Sequence, residues 1–295
     1  MYIAIRDAML EPFDTPLAGC EHLKVKSVEI ELTRDFEVLA MDRNEKIVLK
    51  DHQAVAAYRA HLDKLGIHGC SFLTACDFSV GNPAENAAWI ARALDYAEIM
   101  GMDNIRIDSF MSREMELDFG ERVAIFSEGL KAALDSAETR QVNMGIENHG
   151  FQGNNLTFLL MVFKRVDSEL LGLTMDTGNF YWRGYPLSEV YGILELLAPY
   201  TKHTHLKNIN YPEDKREIAR EGGWEYVTYV SPLDEGDIDH ARVLKLLHAV
   251  GYDGDICIED ESLMKLDNNE DKIKVLERDV AHVQACINAA TYMGS

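Results

Sequence analysis

Three short apolar runs lie between residues 142 and 208: VNMGIENHG at 142–150, LGLTMDTGN at 171–179 and TKHTHLKN at 201–208. Each run is about as long as one β-strand, and each is followed by a segment with the 3–4-residue apolar spacing of a helix. We interpret these runs as strands that are buried on both faces and paired in parallel. One run follows another after about 30 residues, the length of a βα unit. The centre of the chain therefore predicts consecutive parallel βα units.

The same alternation extends towards both ends of the chain. Further strands are predicted at Tyr2–Arg6, Ser27–Leu32, Ile67–Leu73, Asn104–Ile107 and Asp255–Ile258. Helical spacing separates them, with start and stop signals such as Asp51 before one helix and Gly66 after it. Strict alternation of eight strands and eight helices predicts a single (β/α)₈ TIM barrel of the α/β class. A doubly wound open sheet is the alternative, but no GxGxxG or GxxxxGK[ST] loop follows the first strand.

Domain organisation follows from the same pattern. No linker or shift in composition divides the chain, so we predict one barrel domain over residues 1–295. Two excursions interrupt the alternation. A small hairpin is predicted near 36–49, and a long polar loop near 209–236 separates the seventh strand from its helix.

Composition and charge restrict the class of protein. Apolar residues make up 47% of the chain, which excludes intrinsic disorder, and the net charge of −21 argues against a nucleic-acid partner. No apolar run approaches the ~18 residues of a membrane span, and the acidic start lacks the apolar region of a signal peptide. The five cysteines show no CxxC spacing, which favours reduced thiols in the cytoplasm. We expect a cytoplasmic protein with a small-molecule partner, compatible with a homo-oligomer.

The chemistry is expected at the carboxyl ends of the strands, where TIM barrels carry their active sites. Glu147, Asp176 and His205 are spaced 29 residues apart, and Glu259 follows 54 residues later, beyond the long loop. These four side chains would occupy equivalent places on four consecutive strands and converge. Three carboxylates and one imidazole repel or compete unless a cation lies between them. The set predicts one divalent metal ion, with Mn²⁺ favoured and Mg²⁺, Co²⁺ or Zn²⁺ as alternatives.

Each of these residues also has a simpler interpretation when it is taken alone. Glu147 and Glu259 read as solvated charges at the rim of the barrel, since Glu259 lies in the acidic run Glu259–Glu261. Asp176 precedes Thr-Gly and reads as a turn residue, and His205 follows an apolar segment and reads as a core histidine. The metal site is favoured because all four would have to fall at equivalent strand ends by accident.

Four strings around these residues, GIENHG, LTMDTGN, KHTHLKN and GYDGDICIED, resemble the xylose-isomerase-like TIM-barrel superfamily of sugar isomerases and epimerases. That superfamily includes ketose 3-epimerases and inosose dehydratases. The resemblance covers roughly residues 27–262 and implies metal ligation by Glu147, Asp176, His205 and Glu259. It also implies that the two glutamates act as catalytic acid and base. The sequence departs from the epimerase pattern at Asn179, where a substrate-binding His is usual, and at Tyr211, where an Arg is usual.

Other residues near the strand ends are candidates for substrate contacts. His203 lies two residues before His205, so both side chains point to one side of the strand. The substrate-binding set that we predict is His149, Asn179, Trp182, His203 and Lys207. Phe72, Phe110 and Trp224 are further candidates for the pocket wall, although large aromatic residues are commonly core.

The combined prediction is a divalent-metal-dependent isomerase or epimerase of a small, unphosphorylated sugar or polyhydroxy carbonyl compound. The reaction would proceed by proton abstraction next to the carbonyl, through an enediolate stabilised by the metal. The first alternative is a metal-dependent dehydratase or lyase on a keto-sugar or keto-inositol. An endonuclease IV-like phosphodiesterase and a non-catalytic sugar binder are the remaining alternatives. The sequence itself does not identify the substrate. It also does not distinguish epimerisation from isomerisation or elimination.

Overall fold

A computed structural model describes residues 1–109 and 111–291. Within these ranges, parallel strands follow one another around a single eight-stranded sheet in chain order, with the last strand beside the first. The strands are β1 (Tyr2–Arg6), β2 (Ser27–Glu31), β3 (His68–Thr74), β4 (Asn104–Ile107), β5 (Asn143–Glu147), β6 (Leu171–Asp176), β7 (Thr201–His205) and β8 (Asp255–Ile258). The predicted TIM barrel is confirmed. The five strands predicted outside the three central runs each lie within two residues of their predicted bounds, and one strand begins in each central run.

The seam between β7 and β8 brings the sheet close to a full barrel. A parallel bridge joins Leu206 to Ile258, and the Leu206 N–H donates to the Cys257 carbonyl oxygen at 2.8 Å. The hydroxyl of Thr204 on β7 also forms hydrogen bonds with the backbone of β8. It donates to the Asp255 carbonyl oxygen at 3.0 Å and accepts from the Cys257 N–H at 3.1 Å. This side-chain bridge holds the ends of β7 and β8 together.

A helix lies between or after successive strands as predicted. These helices are α1 (Pro16–Leu23), α2 (His52–Leu65), α3 (Pro83–Met100), α4 (Phe119–Ser136), α5 (Leu156–Val166), α6 (Leu187–Leu197), α7 (His240–Ala249) and α8 (Asn269–Thr291). The Asp51 carboxylate caps α2 by accepting from the Ala54 N–H at 2.8 Å, and Gly66 ends the helix with φ +69°. Helix α4 begins at Phe119, because Asp118 and Glu121 form a capping box there.

One apolar core fills the space between the helices and the outer face of the barrel. Phe72, on β3, has no exposed surface and packs in this core. Its interpretation as a wall of the substrate pocket was therefore wrong, because its side chain is enclosed by other apolar residues. Among the described residues, every helix falls short of the length and apolarity that a membrane crossing needs. All five cysteines are buried and free.

The two predicted excursions have defined structures. Strands Glu37–Leu39 and Lys46–Val48 pair antiparallel in the hairpin. In the long loop, Asn208–Ile209 pairs antiparallel with Val230–Ser231, and a short helix covers Tyr226–Tyr229. Both excursions begin at the carboxyl side of a barrel strand.

An aromatic cluster stiffens the long loop. The Tyr211 ring lies 4.9 Å from that of Tyr181 and 5.8 Å from that of Trp224, and the Arg220 guanidinium lies 4.3 Å from its centre. Tyr211 is 1% exposed, so it packs inside the loop. Trp224 is also stacked on Tyr229 in this cluster. Tyr211, which stands where the epimerase pattern has an Arg, therefore packs within this cluster.

Candidate metal centre

The ends of β5 to β8 place four ionisable side chains at one point. Glu147, Asp176 and His205 are the last residues of β5, β6 and β7, and Glu259 directly follows β8. One ligand atom from each lies within 4.8 Å of one ligand atom from every other. All four residues are buried, with at most 3% exposed. We call this set the ring. The convergence expected from the sequence spacing is present, and metal ligation by these residues stays a prediction.

The imidazole of His205 faces the ring through Nδ1. This nitrogen lies 3.3 Å from Glu147 Oε1 and 3.2 Å from Glu259 Oε2. Glu147 at the end of β5 and Glu259 after β8 therefore both approach the same nitrogen of His205. A cation bound by the ring would take His205 through Nδ1.

The turn after β6 orients the carboxylate of Asp176. Its Oδ1 accepts from the backbone N–H of Gly178 at 2.7 Å and from that of Asn179 at 2.8 Å. A Cβ at Gly178 would lie 3.0 Å from Cβ of Lys207, so a larger residue would press against β7. The TMDTGN string thus fixes one carboxylate oxygen on the backbone and leaves Oδ2 for the ring.

Three cationic side chains surround the ring. The Arg106 guanidinium is bonded to Glu147, and the Arg6 guanidinium is bonded to Glu259. Lys207 Nζ lies 3.3 Å from Asp176 Oδ2 and 3.4 Å from Glu259 Oε2. The sequence pattern predicts none of these pairings, because it places residues at strand ends but does not show which side chains meet there.

These charges determine the protonation of the carboxyl groups. Burial works to raise the pKa of Glu147, but Arg106 and His205 bring it below its ordinary value. Lys207 and His205 do the same for Glu259, against the effect of burial. Burial raises the pKa of Asp176 to about 6, because Lys207 offsets it only in part and both glutamates add to it. Both glutamates are therefore ionised, as proton acceptors must be.

The ring meets the requirements of a divalent cation. Among the described residues, Asp176 Oδ2 and Glu259 Oε2 are buried oxygens that accept no hydrogen bond, and Lys207 approaches them only at ion-pair distance. A bound ion would satisfy both oxygens. Three carboxylates and one imidazole nitrogen suit Mn²⁺, Mg²⁺ or Zn²⁺. The residues present fit the predicted metal.

Asn179 and Lys207 border the ring, as expected for substrate contacts. The Asn179 side chain donates from Nδ2 to Glu147 Oε1 at 3.3 Å, and its Oδ1 accepts from Lys207 Nζ at 3.4 Å. Lys207 also lies 2.7 Å from Glu261 Oε1, whose other oxygen accepts from the hydroxyl of Tyr226 in the long loop at 2.5 Å. The long loop therefore reaches the edge of the ring.

His149 and Trp182 lie farther out at the same end of the barrel. His149 is exposed, and its Nδ1 lies 3.1 Å from Asp108 Oδ2, an interaction that raises the pKa of the imidazole. Trp182 is half-buried, and its ring meets that of Phe151 edge-on at 5.9 Å. Both side chains are accessible to an incoming molecule. Phe110, another predicted wall residue, lies outside the described residues.

His203 lies deeper than a substrate contact would. It is fully buried between two carboxylates, with Nε2 2.9 Å from Glu29 Oε1 and Nδ1 2.8 Å from Asp255 Oδ2. The prediction placed it beside His205, and the two side chains do share one side of β7. Their separation along the strand puts His203 one layer below the ring.

Glu29 is a buried ionisable residue that the strand-end pattern does not predict, because it does not lie at a strand end. It lies in the middle of β2, in the run Ser-Val-Glu-Ile-Glu, and is fully buried. A glutamate inside an apolar strand run is the signal that could have identified it, since a buried carboxylate needs a partner.

Comparison with known proteins places the chain in a family. The family model described as "Xylose isomerase-like TIM barrel" matches residues 18–286. The chain belongs to this family, in agreement with the resemblance of the strand-end strings. A curated relative, the uncharacterized protein MJ1311 of Methanocaldococcus jannaschii, is 28% identical over 138 residues. That alignment spans 45% of this chain and 42% of the relative, less than half of either.

Solved structures of low sequence identity share the fold. The IolI protein with a bound zinc atom is 17% identical with a TM-score of 0.71, covering 99% of this chain and 100% of that one. An L-ribulose 3-epimerase is 14% identical with a TM-score of 0.64, covering 99% and 96%. The probable 3-DHS dehydratase AsbF from Bacillus anthracis is 12% identical with a TM-score of 0.64, covering 96% and 99%. This fold therefore occurs in an epimerase and in a probable dehydratase.

Proposed function

We propose that the chain is a divalent-metal-dependent isomerase or epimerase of a small, unphosphorylated polyhydroxy carbonyl compound. The ring carries this proposal, because it combines two ionised glutamates with Asp176 and His205 in a buried, cation-binding arrangement. Membership of the family supports the enzyme class. The zinc atom reported with IolI and the epimerase of similar fold are consistent with it.

The metal would be held by Glu147, Asp176, His205 and Glu259. A divalent ion bound there would supply Lewis-acid polarisation of a substrate carbonyl and its neighbouring hydroxyl. Asp176 is held by the backbone on one oxygen, so it acts as a fixed ligand. His205 would bind through Nδ1, which already faces both glutamates.

Glu147 and Glu259 would carry the proton. They approach His205 from the first and the last of the four consecutive strands β5 to β8, so a substrate carbon above the ring would have one carboxylate on each side. One ionised glutamate removes the proton next to the carbonyl. The other takes up a proton from water or from a substrate hydroxyl and delivers it to the opposite face of the carbon. Asn179 donates to Glu147 and fixes its orientation, while Lys207 can donate to a substrate oxygen.

The absence of a phosphate on the substrate is argued from the arginines. Arg6 and Arg106 are the guanidinium groups that contact the ring, and each is bonded to a ring carboxylate. A phosphate would have to displace Glu259 or Glu147 to gain a bidentate guanidinium contact. A neutral hydroxyl-rich substrate requires no such exchange.

The test is solvent-deuterium incorporation during turnover. Metal-loaded protein is incubated in D₂O with a panel of free ketoses, aldoses and keto-inositols, and products are identified by NMR. The proposal expects an epimer or isomer that carries deuterium at the reacting carbon. An isomer formed in D₂O without deuterium at the reacting carbon would contradict this proton transfer, because the hydrogen would then have moved within the substrate.

The second candidate is a metal-dependent dehydratase or lyase, favoured by the similar fold of the probable dehydratase AsbF. The same proton abstraction would then be followed by loss of a hydroxyl group on the next carbon. An unsaturated product with a new carbonyl absorbance in the same panel would select this reaction. Tight binding with no exchange in any compound would instead favour the non-catalytic sugar binder.

A further inference from the structure

A second layer of buried charged side chains lies beneath the ring. Glu29 is in the middle of β2, His203 is in the middle of β7, and Asp255 is the first residue of β8. None of the three is more than 1% exposed. We call these three residues the support layer. Burying two carboxylates and an imidazole inside a barrel is costly unless their partners are matched, so the geometry of the layer is informative.

The support layer forms a chain of polar contacts that ends on the ring. Asp255 Oδ2 lies 2.8 Å from His203 Nδ1, and His203 Nε2 lies 2.9 Å from Glu29 Oε1. The other oxygen of Glu29, Oε2, lies 2.9 Å from His205 Nε2. Each carboxylate oxygen of Glu29 therefore meets one imidazole. His205 is the residue at which the two layers join.

These contacts decide which nitrogen of His205 is available to a cation. A neutral imidazole carries its proton on one nitrogen and a lone pair on the other. The Glu29 carboxylate can accept a hydrogen bond from a protonated Nε2 of His205. The lone pair of the imidazole then falls on Nδ1, the nitrogen that faces Glu147 and Glu259. A carboxylate behind a ligating histidine also makes the histidine a stronger donor to a metal.

We propose that Glu29 is a positioning residue of the metal centre. It holds His205 in the tautomer whose Nδ1 binds the ion, while His203, itself held by Asp255, keeps Glu29 in place and balances its charge. The inference rests on the metal site of the proposed function, and it adds a residue that contacts neither the ion nor the substrate.

A competing interpretation makes the support layer a metal site of its own. Cys257 contributes a sulfur atom within 4.8 Å of ligand atoms from Glu29, His203 and His205, a set that suits zinc. The hydrogen-bond distances favour positioning, because each Glu29 oxygen is already 2.9 Å from an imidazole Nε2. The two interpretations predict different numbers of bound ions.

The experiment measures metal binding and histidine tautomers in the full chain. Purified, chelator-stripped protein is titrated with Zn²⁺ and Mn²⁺ for Glu29→Gln, Glu29→Asp and wild type. Asp95→Asn is the matched control, since the Asp95 carboxylate accepts two backbone N–H groups outside the barrel. We expect one ion per wild-type chain, binding weakened on the order of 10–100-fold in Glu29→Gln, an intermediate loss in Glu29→Asp, and wild-type affinity in the control.

Nitrogen-15 NMR of labelled histidines supplies a readout that a merely structural role would not move. In zinc-loaded wild type, the His205 ring should show a metal-bound Nδ1 and a protonated Nε2, with the signal assigned by its loss in His205→Gln. This measurement needs no Glu29 variant to fold. An Nε2-bound zinc in wild type would overturn the inference.

Further outcomes separate this inference from the proposed function. Equal ion affinity and an unchanged His205 signature in Glu29→Gln would overturn the positioning role and leave the proposed function standing. Two zinc ions per wild-type chain, reduced to one by Cys257→Ser, would overturn it in favour of the second metal site. A wild type that binds one ion through Nδ1 but turns over no polyhydroxy carbonyl compound would overturn the proposed function alone. A wild type that binds no divalent ion would remove both.

Discussion

Two buried carboxyl groups that are adjacent in the chain, those of Glu259 and Asp260, have pKa values shifted in opposite directions. Glu259 belongs to the ring, where burial opposes its charge but Lys207 and His205 bring its pKa below the ordinary value. Asp260 follows it directly, and its buried carboxyl group interacts electrostatically with that of Asp279 of α8. Burial and the neighbouring Asp260 raise the pKa of Asp279 to about 9. Glu259 therefore keeps its negative charge, whereas the Asp260–Asp279 pair keeps a proton.

The difference shows what a buried acid needs in this barrel. A carboxylate stays ionised where cationic side chains face it, as Arg106 faces Glu147. Where two acids face each other, a retained proton removes the repulsion. Only the ionised arrangement offers lone pairs to a cation or accepts a proton from carbon. The contrast separates the ring, as a candidate for chemistry, from a carboxyl pair of structural character.

The largest expected effect follows from removing the charge of a ring glutamate. Glu147→Gln and Glu259→Gln should each lower turnover by on the order of 10²–10⁴-fold, the usual worth of an acid or base. Rates are measured at saturating metal, because each side chain is also a proposed ligand. Asp279→Asn is the matched control, since it makes a carboxyl-to-amide change outside the ring. Gln variants as active as this control would remove the glutamates from the mechanism.

A similar effect on stability is expected when a ring carboxylate loses its cation. Arg106→Met leaves Glu147 buried without its guanidinium partner, which should lower the free energy of unfolding by about 3–5 kcal/mol. Denaturant unfolding of chelated protein measures the loss, and added divalent ion should recover part of it. Arg113→Met is the control, because its pair with Glu116 is exposed and should matter little. Equal effects of the two changes would contradict the proposed electrostatic balance.

Metal removal gives a somewhat smaller effect. An ion that binds only the folded ring stabilises it by about 2.7 kcal/mol at a free concentration 100 times its dissociation constant. Calorimetry should therefore show a higher Tm with Mn²⁺, Mg²⁺ or Zn²⁺ than with chelator. Asp176→Ala should abolish this difference, while Asp279→Asn should retain it. A metal-dependent Tm that survives Asp176→Ala would place the ion elsewhere.

The sequence predicted the barrel and the ring because both depend on local spacing. Strand runs, helix caps such as Asp51 and the roughly 30-residue repeat follow from neighbouring residues. A strand-end residue also inherits its place from the barrel topology, so the convergence of Glu147 and Asp176 required no contact information. Glu29 lies inside a strand, however, so the spacing of strand ends does not predict its place beneath the ring.

Contacts between distant segments were beyond the sequence. The pairing of Arg6 with Glu259 joins residues 253 positions apart, and no local pattern encodes it. The sequence predicts a long polar loop near 209–236, but the packing of Tyr211 against Tyr181 depends on how this loop folds back. His203 was assigned to the right side of β7 and to the wrong depth, because strand periodicity fixes the face and not the layer.

The last expected effect concerns the carboxyl pair and depends on pH. The pKa of Asp279 rises from an ordinary 3.8 to about 9 in the folded protein, so between these pH values the folded state binds more protons than the unfolded state. The free energy of unfolding should therefore fall as pH rises through this window. Asp279→Asn removes this titration while an amide oxygen can still accept from the Leu233 N–H, which now donates to the carboxyl at 3.1 Å.

Relative to wild type, Asp279→Asn should gain stability as the pH rises from 5 to 9, with a slope of up to about 1.4 kcal/mol per pH unit. Urea unfolding at several pH values measures the gain, with chelator present so that ring occupancy is equal. Asp95→Asn is the control and should show no such pH-dependent gain. Parallel pH profiles for wild type and Asp279→Asn would mean that the pair does not retain its proton. The opposition between a charged ring and a protonated pair would then fail, because two neighbouring buried acids would both be ionised.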